Sequence, residues 1–365
     1  MSSQKDTTFL VSRRLDYKSI KSLALINKEN YNVILQELEH YFKMLPEYIR
    51  RDREFKKHYN SIFIALQSIY PNSNLYDILV YLQSKEFEEL KRKTDEYIKK
   101  EGLKKTVLVY FKNKGKDFIN ISLFDTRGIK DMSKLFYREP ADKYLWINSH
   151  NLNLWDVSSV ENMSKMFVFQ HSFTSPLNLW DVSNVKNMSR MFEDCEFSQS
   201  INSWDVSNVK DMSYMFYQSK FNRPINSWNV SNVKDMSYMF CYSNRFNQPL
   251  DSWDVSNVKD MSHMFKSAFV FNQPINSWDV SNVKDMSHMF DQAINFNKPL
   301  DSWDISNVEN MEEMFREVET FKQPLNMWVV NNSTNMKDMF LYADHAKKIK
   351  KPQRKKKTKN TTRAK

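Results

Sequence analysis

His263 and His288 stand one step of 25 residues apart, and Tyr214 and Tyr238 precede them at steps of 24 and 25. Two imidazoles side by side are half of a metal site, and a row of phenol rings is a surface for protein contact. A third ligand and an orienting partner are not evident from the spacing, so it reads as an aromatic stripe and no metal is assigned. Tyr217 and Tyr242 fall beside it. Tyrosine offers a large contact area at small entropic cost. Tyr214, Tyr217, Tyr238, Tyr242, His263 and His288 are therefore the expected contact patch for a protein partner.

Other chemistry is sparse. Asp156, Asp181, Asp205, Asp254, Asp279 and Asp304 each follow a tryptophan. A ladder of carboxylates is either a cation-binding ridge or a series of turn caps that accept backbone N–H groups, and the second reading is preferred. Asn229 replaces one rung without disturbing its neighbours' pattern. Glycine occurs only at 102, 115 and 128, which leaves no phosphate-cradling loop, dinucleotide fingerprint or nucleophile elbow. There is no HExxH or CxxC pairing, and His40, His58, His150, His171 and His345 follow no pattern. The expectation is a protein that is not an enzyme and uses no cofactor. Cys195 and Cys241 lie two repeats apart at different offsets, too far apart for a disulfide.

The elements that must position these residues come from a repeat. Tryptophans stand at 155, 180, 204, 228, 253, 278, 303 and 328, at steps of 24 or 25. Propeller repeats run to about 40–45 residues, so this is a solenoid period. With tryptophan as offset zero, Ile or Leu lies at −3, Val or Ile at +2, Val at +5, Met at +8 and +11, and Phe at +12. The alternation around 0 and +2 predicts a short strand. The apolar positions from +5 to +15 fall on one helical arc, so a helical turn or two is expected there, with Ser-Asn at +3 and +4 as its cap. Phe124 holds the tryptophan phase of a first unit, which gives about nine units in all. The predicted fold is an α/β repeat solenoid of leucine-rich-repeat type, preceded by an α-helical module. No unit can bury its tryptophan alone, which is why the phrase repeats.

The chain divides by composition into 1–45 (helical), 46–105 (a helical linker module with a long helix over 74–101 ended by Gly102), 106–123 (a hairpin cap, TVLVYF and FINISLF about KNKGKD), 124–346 (repeats) and 347–365 (a basic tail expected to be disordered). The net charge of +10 is not spread evenly. The tail carries eleven basic and no acidic residues, while 111–346 carries 23 basic against 29 acidic. Any nonspecific nucleic-acid contact, or nuclear import, is thereby confined to 347–365. No apolar signal region opens the chain and no window is apolar enough to span a membrane. An intracellular monomer, cytoplasmic or nuclear, is expected.

The phrase W-D-[VI]-S-N-V-x-[DN]-M-x-x-M-F followed by FN-x-P-[IL] resembles the BspA-like leucine-rich repeat family, in its Trp/Met-rich "surface protein" subclass, over 155–340. The resemblance implies binding rather than catalysis, and a source among bacterial surface proteins or large DNA viruses; an adhesin is the alternative reading. Residues 15–34, LDYKSIKSLALINKENYNVI, resemble the later part of an F-box without its usual Leu-Pro start. That resemblance implies docking on Skp1 through Leu15, Ile20, Leu23 and Ile26, and a role as a substrate-recruiting adaptor of a cullin ubiquitin ligase.

Overall fold

The computed structural model describes residues 84–113, 116–137, 150–343 and 352–354, with Ile78, Tyr81 and Ile147. The F-box-like stretch 15–34 and most of the tail lie outside the described residues. Two compact units are present. One comprises Met1–Ile129, Lys143–Ser159 and Ser175–Asp181; the other comprises Lys130–Asp142, Val160–Thr174 and Val182–Lys365.

In the first unit, α1 (Lys85–Glu101) opens at Ser84, whose side chain accepts from the N–H of Phe87 at 3.1 Å. Glu86 and Glu88 in its first turn and Lys99 and Lys100 in its last suit the helix dipole. It ends at Gly102, as expected from sequence, where φ is 83°. The predicted hairpin over 106–123 is absent. The chain instead forms α2 (Leu103–Lys112) and then a 3₁₀ turn at Ile121–Leu123. The β-branched and aromatic composition of TVLVYF favours a strand, but Leu103, Thr106, Val107 and Tyr110 recur at helical spacing, and all four are buried. Tertiary burial overrides local propensity here. The indole N–H of Trp155 donates to Ile121 O at 2.8 Å, and that of Trp180 to Leu152 O at 2.8 Å.

In the second unit successive repeats lie in register. Residues at +7 pair as single parallel bridges from Asp131 through Asn162, Asn187, Asp211, Asp235, Asp260, Asp285 and Asn310 to Asn335. Before them, at +6, an N–H donates back to the preceding repeat, as Lys234 N to Lys210 O at 2.9 Å, and after them a ladder runs one way only. The N–H groups of Met212, Tyr214, Phe216 and Gln218 donate to the carbonyls of Asp235, Ser237, Met239 and Cys241 in the next repeat, at 2.8–3.0 Å. Within each repeat, three-residue steps close turns, such as Met215 N to Met212 O and Tyr217 N to Tyr214 O.

The described repeat residues contain no helix, and no strand at the tryptophan phase except Val329–Val330. The reason is in the ladder: alternate N–H groups leave for the neighbouring repeat, and among the described residues offsets +10 and +14 have positive φ, as at Tyr214 (57°) and Gln218 (54°). That alternation cannot continue a right-handed helix. The stacked i to i+3 turns nonetheless bury +5, +8, +12 and +15, as at Val209, Met212, Phe216 and Ser219, which is why helical arithmetic fits the same apolar pattern.

The core is a set of files. Phe192, Phe216, Phe240, Phe265, Phe290 and Phe315 stack with centroids 5.5–5.8 Å apart. Trp228, Trp253, Trp278, Trp303 and Trp328 stack at 6.2–6.5 Å. Each indole N–H is satisfied by the carbonyl at −3 of the preceding unit, as Trp253 by Ile225 O at 3.0 Å. The aspartates behave as turn caps: Asp205 Oδ1 accepts from Ser207 N, and Asp211 Oδ1 from both Ser213 N and its hydroxyl. Asn208, Asn232, Asn257, Asn282 and Asn307 each donate to a serine carbonyl of the preceding unit at 2.7–2.9 Å. Both cysteines are buried free thiols.

One piece of the tail departs from the expected disorder. Gln353–Arg354 (β2) pairs in parallel with Val329–Val330 (β1). Gln353 aligns with Val329 at a spacing of 24, the repeat's own step. Its N–H donates to Trp328 O at 2.8 Å.

Candidate functional site

Offset +10 is where the ladder turns left-handed and the side chain leaves the core. Along the second unit this file reads Lys134, Lys165, Arg190, Tyr214, Tyr238, His263, His288, Glu313 and Asp338. Its centre is a continuous pile of rings. The Arg190 guanidinium lies 3.8 Å over the Tyr214 ring. Tyr214 stacks on Tyr238 at 4.2 Å, Tyr238 on His263 at 4.1 Å, and His263 on His288 at 4.4 Å. Tyr217 leans on Tyr214 at 5.5 Å and meets Tyr242 edge-on at 5.7 Å. All six residues expected from sequence therefore lie together. Tyr242 is the most exposed of them, at 38 %; the others are half-buried.

The crowding tunes their chemistry. Burial, with Tyr214 adding to it, pushes the Tyr238 phenol up to about 12. Burial, the neighbouring His288 and Lys266 bring His263 down to about 4, and its Nδ1 has no hydrogen-bond partner. These groups are neutral at physiological pH and present rings rather than charge. The Cys195 and Cys241 thiols are pushed up to about 12 by burial, far from the thiolate that nucleophilic chemistry needs.

The histidine end adjoins a charge cluster that spacing alone did not reveal. Asp291, at +13, is fully buried, with Lys266 Nζ at 2.9 Å, His288 Nδ1 at 3.1 Å and Arg316 at 3.7 Å from its Oδ2. Glu313 reaches His288 and Arg316, both at 3.5 Å. His288, Asp291 and Glu313 bring three potential ligand atoms together. The place of a cation beside Asp291, however, is taken by the Lys266 ammonium. A buried carboxylate paired to Lys and Arg is a structural charge network. The in-phase repeat should have flagged +13, but Tyr217, Cys241, Lys266, Asp291 and Arg316 share no residue class.

The Skp1-docking candidates Leu15, Ile20, Leu23 and Ile26 lie outside the described residues. Among the described residues no helix is long and apolar enough to cross a membrane. A family model described as "Mycoplasma protein of unknown function, DUF285" matches residues 106–218, 139–252, 195–293 and 243–353. The overlapping matches fall on the internal repeats. No curated protein and no solved structure matches the chain.

Proposed function

The chain belongs to the DUF285 family, a family of repeat proteins, and we propose that this member is a non-enzymatic scaffold whose stacked units bind another protein through the ring file at +10. The observation that carries the reading is the unbroken pile Arg190–Tyr214–Tyr238–His263–His288. The offset is left-handed in every unit, a conformation that suits Gly or Asn, yet four consecutive units place rings there. Aromatic clusters of this kind are the usual energetic centre of protein contacts. The scaffold acts as an intracellular monomer and needs no cofactor.

The test is affinity capture with the wild-type chain and with Tyr214→Ser/Tyr238→Ser, followed by affinity measurement on the proteins recovered. A drop of at least about tenfold, about 1.4 kcal/mol, supports the file as the binding face. Unchanged affinity for every recovered protein removes it. The adaptor role rests on the F-box-like stretch alone. Skp1 should be captured by the wild type and lost in Leu23→Asp/Ile26→Asp; a wild-type chain that never captures Skp1 ends that role.

A further inference from the structure

The ladder between units is polar. Each unit sends N–H groups at +8, +10, +12 and +14 to the carbonyls of the next, while at +6 its carbonyl accepts from the next, so over +8 to +14 a terminal unit is left with a row of donors. In the ninth unit these are the N–H groups of Met336, Asp338, Phe340 and Tyr342. Their counterparts in the eighth unit, Met311, Glu313, Phe315 and Glu317, all donate, at 2.8–3.0 Å, to Asn335, Lys337, Met339 and Leu341. The four N–H groups of the ninth unit find no partner among the described residues. Beside them is a cavity of about 630 Å³, lined by residues 334–341 with Pro352 and Arg354. Tyr342, next along the chain, is 63 % exposed, and Phe340 in the lining is 9 % exposed where its counterparts are at most 1 %.

We propose that this edge is a second binding site, distinct from the ring file, that takes an extended strand of a partner protein as a further unit of the ladder. Three observations specify the occupant. First, the row of donors at Met336, Asp338, Phe340 and Tyr342 pairs only with a row of carbonyls, so the donor rows of two copies cannot pair with each other. Second, the same unit already carries an added strand on its tryptophan side, where Gln353–Arg354 joins Val329–Val330 in parallel with Gln353 N donating to Trp328 O. The cavity continues that interface along the methionine side. Third, the in-chain interfaces show which side chains fit: Met at +8 and +11 and Phe at +12 cover their equivalents. The partner strand is therefore parallel to 334–342 and apolar at the positions matching Met336, Met339 and Phe340. Addition of a strand to an open edge is a recurrent mode of peptide recognition, in which main-chain bonds give affinity and alternate pockets give selectivity.

The probe is a capped, fluorescently labelled peptide of the repeat's own phrase, KDMSYMFYQS (residues 210–219), titrated with the full chain. The expected result is a saturating rise in anisotropy, with Kd on the order of 100 µM or tighter, that a scrambled peptide does not give. Met336→Pro deletes a donor that no other group uses, and should weaken binding at least about tenfold. Amide exchange on the wild-type chain supplies a readout independent of that variant: Met336, Asp338, Phe340 and Tyr342 should gain protection on peptide addition. Absence of binding at millimolar peptide, or protection confined to other amides, overturns the proposal. So does binding that appears only after residues 355–365 are removed, which would make the tail the occupant. Concentration-dependent oligomers of the chain alone that the peptide dissolves would put a second copy there, and also overturn it.

Discussion

At offset +10 a tyrosine or histidine holds φ between 56° and 59°, a conformation that costs an L-residue roughly 1 kcal/mol. Stacking at 4.1–4.4 Å offsets part of that cost. His263 adds a pH dependence. Its folded value, about 4, lies below the ordinary one near 6.5, so the unfolded chain takes up the proton first. Stability is complete above pH 6.5, falls as pH drops from 6.5 to 4, and loses nothing further from this group below 4. With solvent screening at a half-buried ring, the loss is on the order of 1–2 kcal/mol. His263→Tyr continues the phenol pile in a conformation its neighbours already accept, and should flatten urea-midpoint curves across that window. An unchanged slope would show that His263 is not the titrating group. A second comparison tests the phase of the repeat. Trp228, 2 % exposed, should cost about 3–5 kcal/mol as Trp228→Ala, and exposed Lys234→Ala under about 0.5 kcal/mol. The ring file was legible in the sequence because a side chain's neighbours in a stack are its counterparts one period away. The buried Asp291 was not, because its partners Lys266, His288 and Arg316 come from three units with no shared residue type.

For individual elements, the sequence marked ends better than identities. Gly102 ends α1 and begins α2 with φ of 83°, and an added Cβ would meet nothing within 4 Å. Gly102→Ala therefore tests backbone conformation alone and should cost about 1 kcal/mol in thermal or urea unfolding of the helical unit. A neutral result would mean that the two helices are not joined through a left-handed hinge. The strand reading of TVLVYF failed because β-branched residues are weak evidence when their spacing also fits a helix with one buried face. The helix reading of +5 to +15 failed for a different reason. Stacked i to i+3 turns and a right-handed helix bury nearly the same offsets, and the positive φ at alternate turns, with the N–H groups that leave for the next repeat, separates them. Glycine commonly announces positive φ, but no unit uses it at +10 or +14, so the sequence carried no marker for the alternation.

At the scale of the whole molecule the repeat makes stability nearly one-dimensional, because among the described residues each repeat bonds to the repeats before and after it. This predicts that a whole unit can be removed if the phase is kept. Deleting Asn229–Trp253 joins Trp228 to Asp254, so offset zero is followed by +1 as before. The Phe216 and Phe265 rings then become neighbours in their file, and the donors Met212, Tyr214 and Phe216 face the carbonyls of Asp260, Ser262 and Met264 in place of those of Asp235, Ser237 and Met239. No buried donor is orphaned and no core position changes class. The shortened chain should unfold cooperatively, with a calorimetric enthalpy lower by about 17 kcal/mol near 60 °C, the share of 25 residues. It should also lose part of the ring file, since Tyr238 and Tyr242 leave with the unit, while the donor edge at Met336–Tyr342 stays as it was. Binding at the two proposed surfaces would thus separate in one variant: partner affinity through the rings falls and capture of the repeat peptide does not. A deletion of 12 residues from the same region shifts the phase by half a unit, turns Met and Phe outward, and should abolish cooperative unfolding. Equal behaviour of the 25- and 12-residue deletions would contradict an in-register stack.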